Sequence, residues 1–398
     1  MLTKINTKNG DALSILGFGC MRLPTRKNLS IDEPRAIALI HEAIKNGINY
    51  FDTAYFYHLG KSETLLGKAL KGGYREKVKI ADKLPPFQLS TLNGAKKIFA
   101  TQLERLQTDY IDYYLLHMLS DKAGLDRLIK LGVLEWLEGL KKEGIIHNIG
   151  FSFHGGKAEF EALIKAYPWD FCQIQYNYMD ENNQATKSGL LLAASLGIPV
   201  IVMEPLRGGR LVTNLPEQVV QTFKNNNPER SLAEWGLRWV WNHPEVTVVL
   251  SGMSTEEQLA ENIRIAGEAK PNSLSTEELA VFEQVKKIIR DKIKIPCTAC
   301  GYCLPCPAGV DIPGCFSCYN DKYLMSGKRS MRIKYYQTLG LTSVKPSFAS
   351  QCQECGVCES LCPQQIEIRK HLKIISKEME GRLFKTLVRI ARRFIKLK

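Results

Sequence analysis

Cysteine is nearly absent from most of this chain. Of twelve in 398 residues, only Cys20 and Cys172 precede Cys297, and the other ten fall between Cys297 and Cys362. A disulfide framework is therefore excluded for the first three quarters. Net charge is scarce over the same stretch. Residues 1–290 hold 35 Lys/Arg against 33 Asp/Glu and residues 291–398 hold 19 against 8, so nearly all of the formal +13 sits in the C-terminal quarter. The first part has no electrostatic footprint for nucleic acid, and no such partner is expected. Long apolar runs are missing as well: Leu190–Met203 is broken by Ser195, Gly197 and Pro199 and is too short to span a bilayer. Met1–Asn6 carries no apolar signal-peptide core, so a cytoplasmic protein is expected. No Gly-x-Gly-x-x-Gly follows an early strand-like run, which weighs against an open, doubly wound dinucleotide-binding sheet.

What is present is a rhythm. A hairpin is expected over residues 1–16, turning at Lys8–Asp11. Strand-like apolar runs follow at Ile15–Cys20, Ile48–Asp52, Val78–Lys83, Ile111–His117, Ile145–Phe151, Phe171–Gln175, Pro199–Met203 and Val246–Leu250. Helical periodicity separates them. Ala36, Ile37, Ile40, Ala43 and Ile44, for example, share one face until Asn46-Gly47 stops the helix. Eight β/α units in about 270 residues predict a (β/α)8 TIM barrel, a fold of about 250 residues.

Ionisable residues close three successive strand-like runs: Asp52 with Tyr57 just beyond it, Lys83, and His117. In a parallel barrel the C-terminal strand ends converge. A free phenol, with a pKa of about 10, is a poor acid at neutral pH. A neighbouring ammonium lowers that value, a carboxylate holds the ammonium, and an imidazole orients a substrate oxygen. The set thus predicts Tyr57 as proton donor, Lys83 as its activator, Asp52 as the partner of Lys83 and His117 as orienter, in reduction of a carbonyl by hydride. Each residue alone has a plainer reading as a cap, a packing ring, a solvated strand end or an interior histidine. Their joint placement favours chemistry.

Phe51-Asp52-Thr53-Ala54-Tyr55-Phe56-Tyr57, the Lys83 strand end, Asp109–His117, Ile149-Gly150-Phe151-Ser152 and Ser251–Thr255 running on to Glu261-Asn262 resemble the aldo/keto reductase family over about residues 1–290. The resemblance implies a (β/α)8 barrel, NADH or NADPH as cofactor, and a small aldehyde or ketone as substrate. It implies that Ser152 and Gln173 hold the nicotinamide amide and that Glu261 and Asn262 meet the adenine side. Three departures stand out. Phe153 and His154 follow Ser152 where the family often has asparagine. Met203 replaces the aromatic that stacks on the nicotinamide. The grip on a 2′-phosphate falls on Gly252, Met253 and Gln258, none of them cationic, leaving Arg264 or Lys270 to meet that phosphate. Phe56, His58, Phe87 and His154 are candidate substrate-lining residues.

The run Cys352-x2-Cys355-x2-Cys358-x3-Cys362-Pro363 has the spacing that holds [4Fe-4S] clusters in bacterial ferredoxins. A second run, Cys297, Cys300, Cys303 and Cys306, is one residue shorter before its last cysteine. The fourth cysteine of each run serves the other cluster in two-cluster ferredoxins. Applied here, Cys297, Cys300, Cys303 and Cys362 hold one cluster, and Cys352, Cys355, Cys358 and Cys306 a second. Cys315 and Cys318 are left as spares, and a helix over Lys322–Leu339 makes the module mainly helical. A reductase barrel followed by such a ferredoxin-like domain resembles one branch of the same family end to end. The expected division is barrel 1–270, helical linker 271–294, iron–sulfur domain 295–372 and basic amphipathic tail 373–398. Clusters move single electrons and a nicotinamide moves a hydride, so three roles stay open for them: structure, electron relay with a redox partner protein, or redox sensing. The rival readings are a ferredoxin-linked electron-transfer protein and a non-catalytic sensor using the barrel as scaffold. Residues 382–398 hold seven Lys/Arg and no acid, with Leu383, Phe384, Leu387, Val388, Ala391, Phe394 and Ile395 on one face. Peripheral contact with an anionic membrane and packing on its own domain are both open for that tail.

Overall fold

The strands expected from the alternation form, and they close on themselves. The computed structural model describes residues 1–26, 28, 30–213, 215–297, 303–324, 328–341, 345–362, 365–381 and 386. Strands β1 (Thr3–Ile5) and β2 (Ala12–Ser14) make an antiparallel hairpin. The parallel strands β3 (Leu16–Gly19), β4 (Tyr50–Asp52), β5 (Lys79–Leu84), β6 (Ile111–Leu119), β7 (Ile146–Phe153), β8 (Phe171–Gln175), β9 (Val200–Met203) and β10 (Val246–Ser251) follow one another round a closed barrel, β10 pairing with β3. Parallel strands covered on both faces need near-continuous apolar sequence, and every residue of β8 and β10 is buried.

Helices α1 (Glu33–Lys45), α2 (Lys61–Ala69), α3 (Leu92–Leu106), α4 (Lys122–Lys130), α5 (Val133–Lys142), α6 (Lys157–Lys165) and α7 (Thr186–Ser195) connect the first seven barrel strands. Between β9 and β10 lie α8 (Glu217–Asn226) and α9 (Leu232–Trp241), and α10 (Glu256–Glu268) follows β10. Their starts are written locally. Thr91 accepts from Gly94 N–H (3.1 Å), Ser231 from Glu234 N–H (3.0 Å) and Thr255 from Gln258 N–H (3.3 Å), each capping its helix.

The strand period of two sorts the barrel's inner face into layers. Tyr50, Ala81, Tyr113, Leu115, Phe171, Ile201, Val248 and Leu250 fill the middle with Leu13 of the hairpin. Gly17 must lack a side chain there, because a Cβ would meet Leu250 Cδ2 at 2.7 Å and Val248 Cγ1 at 2.9 Å. At the N-terminal end the hairpin is tied in by Asn6 Nδ2 to the Tyr113 hydroxyl (3.0 Å), by that hydroxyl to Asp11 (2.7 Å) and by Lys79 to Asp11 (2.9 Å). Two residues further along the same inward faces stand Asp52, Lys83, His117, Ser152 and Gln173.

The chain divides into two compact units, Met1–Leu211 with Arg230–Thr276, and Val212–Glu229 with Glu277–Lys398. The stretch expected as barrel, 1–270, is thus interrupted by α8, which belongs with α11 (Thr276–Lys292): Phe223 meets Phe282 edge-on at 5.7 Å. The second unit continues with α12 (Ile312–Leu324), α13 (Lys328–Tyr336), the four-residue α14 (Val357–Ser360) and α15 (Ile368–Met379), and contains no strand among its described residues. The described residues of the helix expected over Lys322–Leu339 are helical but divided between the end of α12, which starts back at Ile312, and α13 with the π-helical turn Gln337–Leu341 after it. Asp311 Oδ1 accepts from Gly314 N–H (3.0 Å) and Pro313 sits in the first turn, a cap and a proline that together start a helix. Ile368, Leu372, Ile375 and Met379 recur at helical spacing on α15 and are all buried. Residues 382–385 and 387–398, most of the expected basic tail, lie outside the described residues. No described helix is long and apolar enough to cross a membrane.

Candidate active site

Lys83 and Asp52 sit side by side because β5 and β4 are hydrogen-bonded neighbours whose inward positions alternate in step. The Lys83 ammonium, 1 % exposed, donates to Asp52 Oδ1 and to the Thr53 carbonyl, both at 2.6 Å. Asp52 Oδ2 accepts from Gln173 Nε2 at 3.1 Å. Burial pushes the Asp52 carboxyl up and the Lys83 ammonium down; on Lys83 the carboxylate wins, and its pKa rises. The two shifts pull in opposite senses. Every neighbour contact here (a carbonyl accepting from the amine, an amide donating to the carboxyl) favours the charged forms, so the pair is ionic.

Tyr57 opens a short turn after β4, its ring 5.0 Å from the Lys83 ammonium and 6.3 Å, edge-on, from the His117 ring. The expectation that Lys83 brings the phenol below its ordinary value is corrected here. Burial raises it, Lys83 pulls it down and Asp52 pushes it up, and the balance is upward. Tyr57 is therefore protonated at rest. Directly after it, His58 (φ 51), Leu59 (φ 58) and Gly60 (φ 86) run through three left-handed conformations, which cost non-glycine residues roughly 1–2 kcal/mol each. The turn is held by Leu23 N–H donating to His58 Nε2 (3.3 Å), which requires a neutral ring, and burial lowers the His58 pKa accordingly. His117 is driven down to about 3, mainly by burial, with Lys83 and His154 adding to it. It is therefore a neutral imidazole, and its Nδ1 is buried with no partner among the described residues.

Of the residues assigned to the cofactor, Ser152 and Gln173 join this group. The Ser152 hydroxyl accepts from Met118 N–H (2.8 Å) and keeps its own hydrogen to donate. Gln173 Oε1 is buried and has no partner among the described residues. Glu261 and Asn262 lie apart, on α10. Asn262 is buried there and donates to Ser251 Oγ at the end of β10 (2.9 Å). Arg264 is committed to Glu234 and Glu268, and Lys270 is exposed. Gln258 takes hydrogen bonds from Ser254 N–H (2.9 Å) and its hydroxyl. Met203 is half-buried at the end of β9, and burial lowers the His154 pKa. The Phe87 side chain lies outside the described residues.

Sequence reasoning missed several neighbours. The Thr53 carbonyl and the Gln173–Asp52 bond follow from register and leave no mark in composition. Behind β5, the buried Asp82, Glu63 and Gln102 form a polar group with the partly exposed Arg105, which the strand and helix periodicity does not mark.

In the second unit, Cys297, Cys303, Cys306, Cys352, Cys358 and Cys362 pack half-buried against one apolar cluster that includes Ile295, Val310, Phe316, Tyr335, Ile368 and Leu372. Burial, Glu359 and the nearby thiols of Cys352 and Cys306 raise the Cys358 pKa. Cys355 is exposed, and Cys300 lies outside the described residues. No three of the described His, Cys, Asp and Glu residues form a group placed to hold a metal ion, so the expected ligand sets are not assembled among them. Cys315 and Cys318 sit inside α12, 0 % and 3 % exposed, with the Cys315 sulfur 3.7 Å from the Tyr335 hydroxyl.

An eight-stranded parallel barrel with a tyrosine, a lysine–aspartate pair and a neutral histidine at one end defines a class of oxidoreductase barrels. The profile of the aldo/keto reductase family matches residues 15–287, and the chain belongs to that family. An oxidoreductase of Bacillus subtilis (strain 168) is 28% identical over 317 residues, 71% of this chain and 96% of that protein. L-galactose dehydrogenase of Arabidopsis thaliana is 26% identical over 317 residues, 73% of this chain and 97% of that one. Among solved structures, the holo form of an aldo-keto reductase from Bacillus halodurans has a TM-score of 0.60 and 28% identity, over 72% of this chain and 96% of its own. An aldo-keto reductase of Klebsiella pneumoniae, solved in complex with NADPH, shares the fold with a TM-score of 0.59 and 23% identity over the same shares. The chain is an oxidoreductase of this family.

Proposed function

We propose that this protein reduces a small aldehyde or ketone with a nicotinamide dinucleotide, and that Tyr57 delivers the proton. The observation that carries this reading is the Lys83–Asp52 ion pair, dry and directly beneath the face of Tyr57. The inner face suits a nicotinamide carboxamide, which both donates and accepts: Gln173 Oε1 is an open acceptor and the Ser152 hydroxyl an open donor. When bound, the cofactor supplies hydride. The neutral ring of His117 orients the substrate carbonyl. Tyr57 then gives its hydroxyl proton to the developing alkoxide, and the Lys83 ammonium stabilises the phenolate left behind. Asp52, backed by Gln173, keeps that ammonium charged and aimed. Tyr57→Phe should cut turnover by roughly 10²–10⁴-fold with cofactor affinity little changed. Full turnover in the variant removes Tyr57 as the acid. Since Gly252, Met253 and Gln258 carry no charge of their own and Arg264 is committed to Glu234 and Glu268, NADH should bind at least as well as NADPH in parallel titrations.

The second unit fits iron–sulfur ligation in its donor chemistry: soft thiols, an apolar shell, and Cys306 beside Cys352 and Cys358 across the two runs. Cys297, Cys300, Cys303 and Cys362 would hold one [4Fe-4S] cluster, and Cys352, Cys355, Cys358 and Cys306 another. Such clusters store single electrons for exchange with a redox partner protein. Anaerobic purification with iron and sulfide counts tests this. About eight of each per chain are expected for two clusters. An iron-free anaerobic protein ends the cluster assignment and leaves the barrel chemistry standing.

A further inference from the structure

Lys83 faces into the barrel, so its neighbour Asp82 faces outward, between the barrel wall and helices α2 and α3. Asp82 and Glu63 of α2 are both 0 % exposed. Asp82 Oδ1 accepts from Lys83 N–H at 2.8 Å, while Oδ2 is buried without a donor among the described residues. Glu63 is well supplied: Arg105 Nη1 reaches Oε2 at 2.7 Å and Gln102 Nε2 reaches Oε1 at 3.2 Å. Two cations serve this region, Lys83, which is buried, and Arg105, which is partly exposed. Lys83 is taken by Asp52 and the Thr53 carbonyl, and Arg105 by Glu63. Three carboxyls share them, and the third has none. An unpaired carboxylate in a dry interior next to another carboxylate cannot stay ionised.

We propose that Asp82 is a neutral carboxylic acid whose proton bridges to Glu63, and that this pair is the positioning device behind Lys83 and Tyr57. The second half rests on the reductase reading above; the first does not. Lys83 is gripped at both ends of its main chain, its N–H by Asp82 and its carbonyl by Gln102 Nε2 (3.1 Å), and Gln102 is itself held by the Tyr114 hydroxyl (2.6 Å). From Glu63 the Arg105 side chain reaches the loop that carries Tyr57. It donates to the Tyr55 carbonyl (3.3 Å), lies 4.6 Å over the Tyr55 ring and fills the space a Cβ on Gly60 would need, at 3.0 Å. The pair therefore ties the Lys83 backbone to both sides of Tyr57. The titratable groups whose charge reaches Asp82 are Glu63, Lys83, Arg105, Tyr114 and Cys20, and burial followed by Glu63 drives its acid strongly upward. Left neutral, Asp82 adds no negative charge beside Lys83 to offset the pull of that ammonium on the Tyr57 phenol.

Infrared difference spectra of the full chain, wild type minus Asp82→Asn at neutral pH in H2O and D2O, test the proton directly. A carboxylic-acid carbonyl band, shifted by deuterium and missing from the variant, is expected. Absence of that band overturns the proposal, and neither reading of the spectrum requires turnover. Kinetics test the positioning. Asn can accept from Lys83 N–H and donate to Glu63, whereas leucine can do neither. Asp82→Leu should lose kcat by roughly 10²-fold, as about 1 Å of misplacement does, with cofactor KM unchanged, and Asp82→Asn should restore most of it. Equal damage from Asn and Leu, or none from either, overturns the positioning role. If Asp82→Leu fails to fold, Glu63→Gln replaces it: that variant keeps the size and removes the anion holding Arg105, and an unchanged kcat in it overturns the same claim.

Discussion

Replacing Lys83 with methionine keeps the length and apolar stem of the side chain but removes its charge. In the native barrel Asp52, 3 % exposed, has one cation at 2.6 Å and one amide at 3.1 Å. Lys83→Met leaves it with the amide alone, in a place water does not reach. Breaking a buried pair by removing one partner costs about 3–5 kcal/mol, most of it the uncompensated charge left behind. That origin sets the pH dependence. Burial already raises the Asp52 carboxyl, and Lys83 is the first influence opposing it, so the variant raises it further above its unfolded value of about 3.9. Between those two values the folded chain holds the extra proton, so stability must fall as pH rises. The deficit against wild type should be largest at neutral and alkaline pH and shrink as pH drops toward 5. Adding Asp52→Asn to Lys83→Met removes the stranded charge and should return most of the loss, a coupling of a few kcal/mol in a double-mutant cycle. All five tryptophans, Trp136, Trp169, Trp235, Trp239 and Trp241, belong to the barrel unit, so their fluorescence in urea follows that unit. A loss under about 1 kcal/mol in the single variant, a deficit independent of pH, or a double variant no better than the single would refute the ion pair as described.

Two further outcomes follow from the same face of the barrel. His117, driven down to about 3, should stay neutral across pH 5–8; a heteronuclear NMR titration showing its imidazole gaining a proton near its ordinary value of about 6.5 would contradict the dry environment assigned to it. Gly150→Ala places a Cβ 2.5 Å from the Phe171 ring, inside the barrel, and should cost about 1–3 kcal/mol by overpacking, read as a shift in the urea midpoint.

The barrel was legible because covered parallel strands are written as apolar runs, and the residue that ends each run is polar for a reason. Asp52, Lys83 and His117 each sit an even number of positions from a core residue of their own strand (Tyr50, Ala81 and Leu115), so the strand period alone brings them inward once the cylinder closes. What the period cannot carry is depth. The sign of the Tyr57 shift depends on burial outweighing an ammonium, and burial is a property of the assembled wall. The left-handed turn at His58 and Leu59 was illegible for a related reason: neither is a glycine, and a contact from Leu23, far back in sequence, holds them there. The membership of α8 in the second unit rests on packing such as Phe223 on Phe282, between helices with the rest of the barrel intervening in sequence. Asp82 falls between these cases. Its outward direction follows from Lys83 by counting one residue, and an acid pressed between a barrel wall and two helices needs a cation or a proton. Of the two cations that serve that space among the described residues, Lys83 is spent on Asp52 and Arg105 on Glu63. The proton on Asp82 is thus a consequence of charge balance and of strand alternation, and it stands or falls with the placement of α2 and α3 against β5.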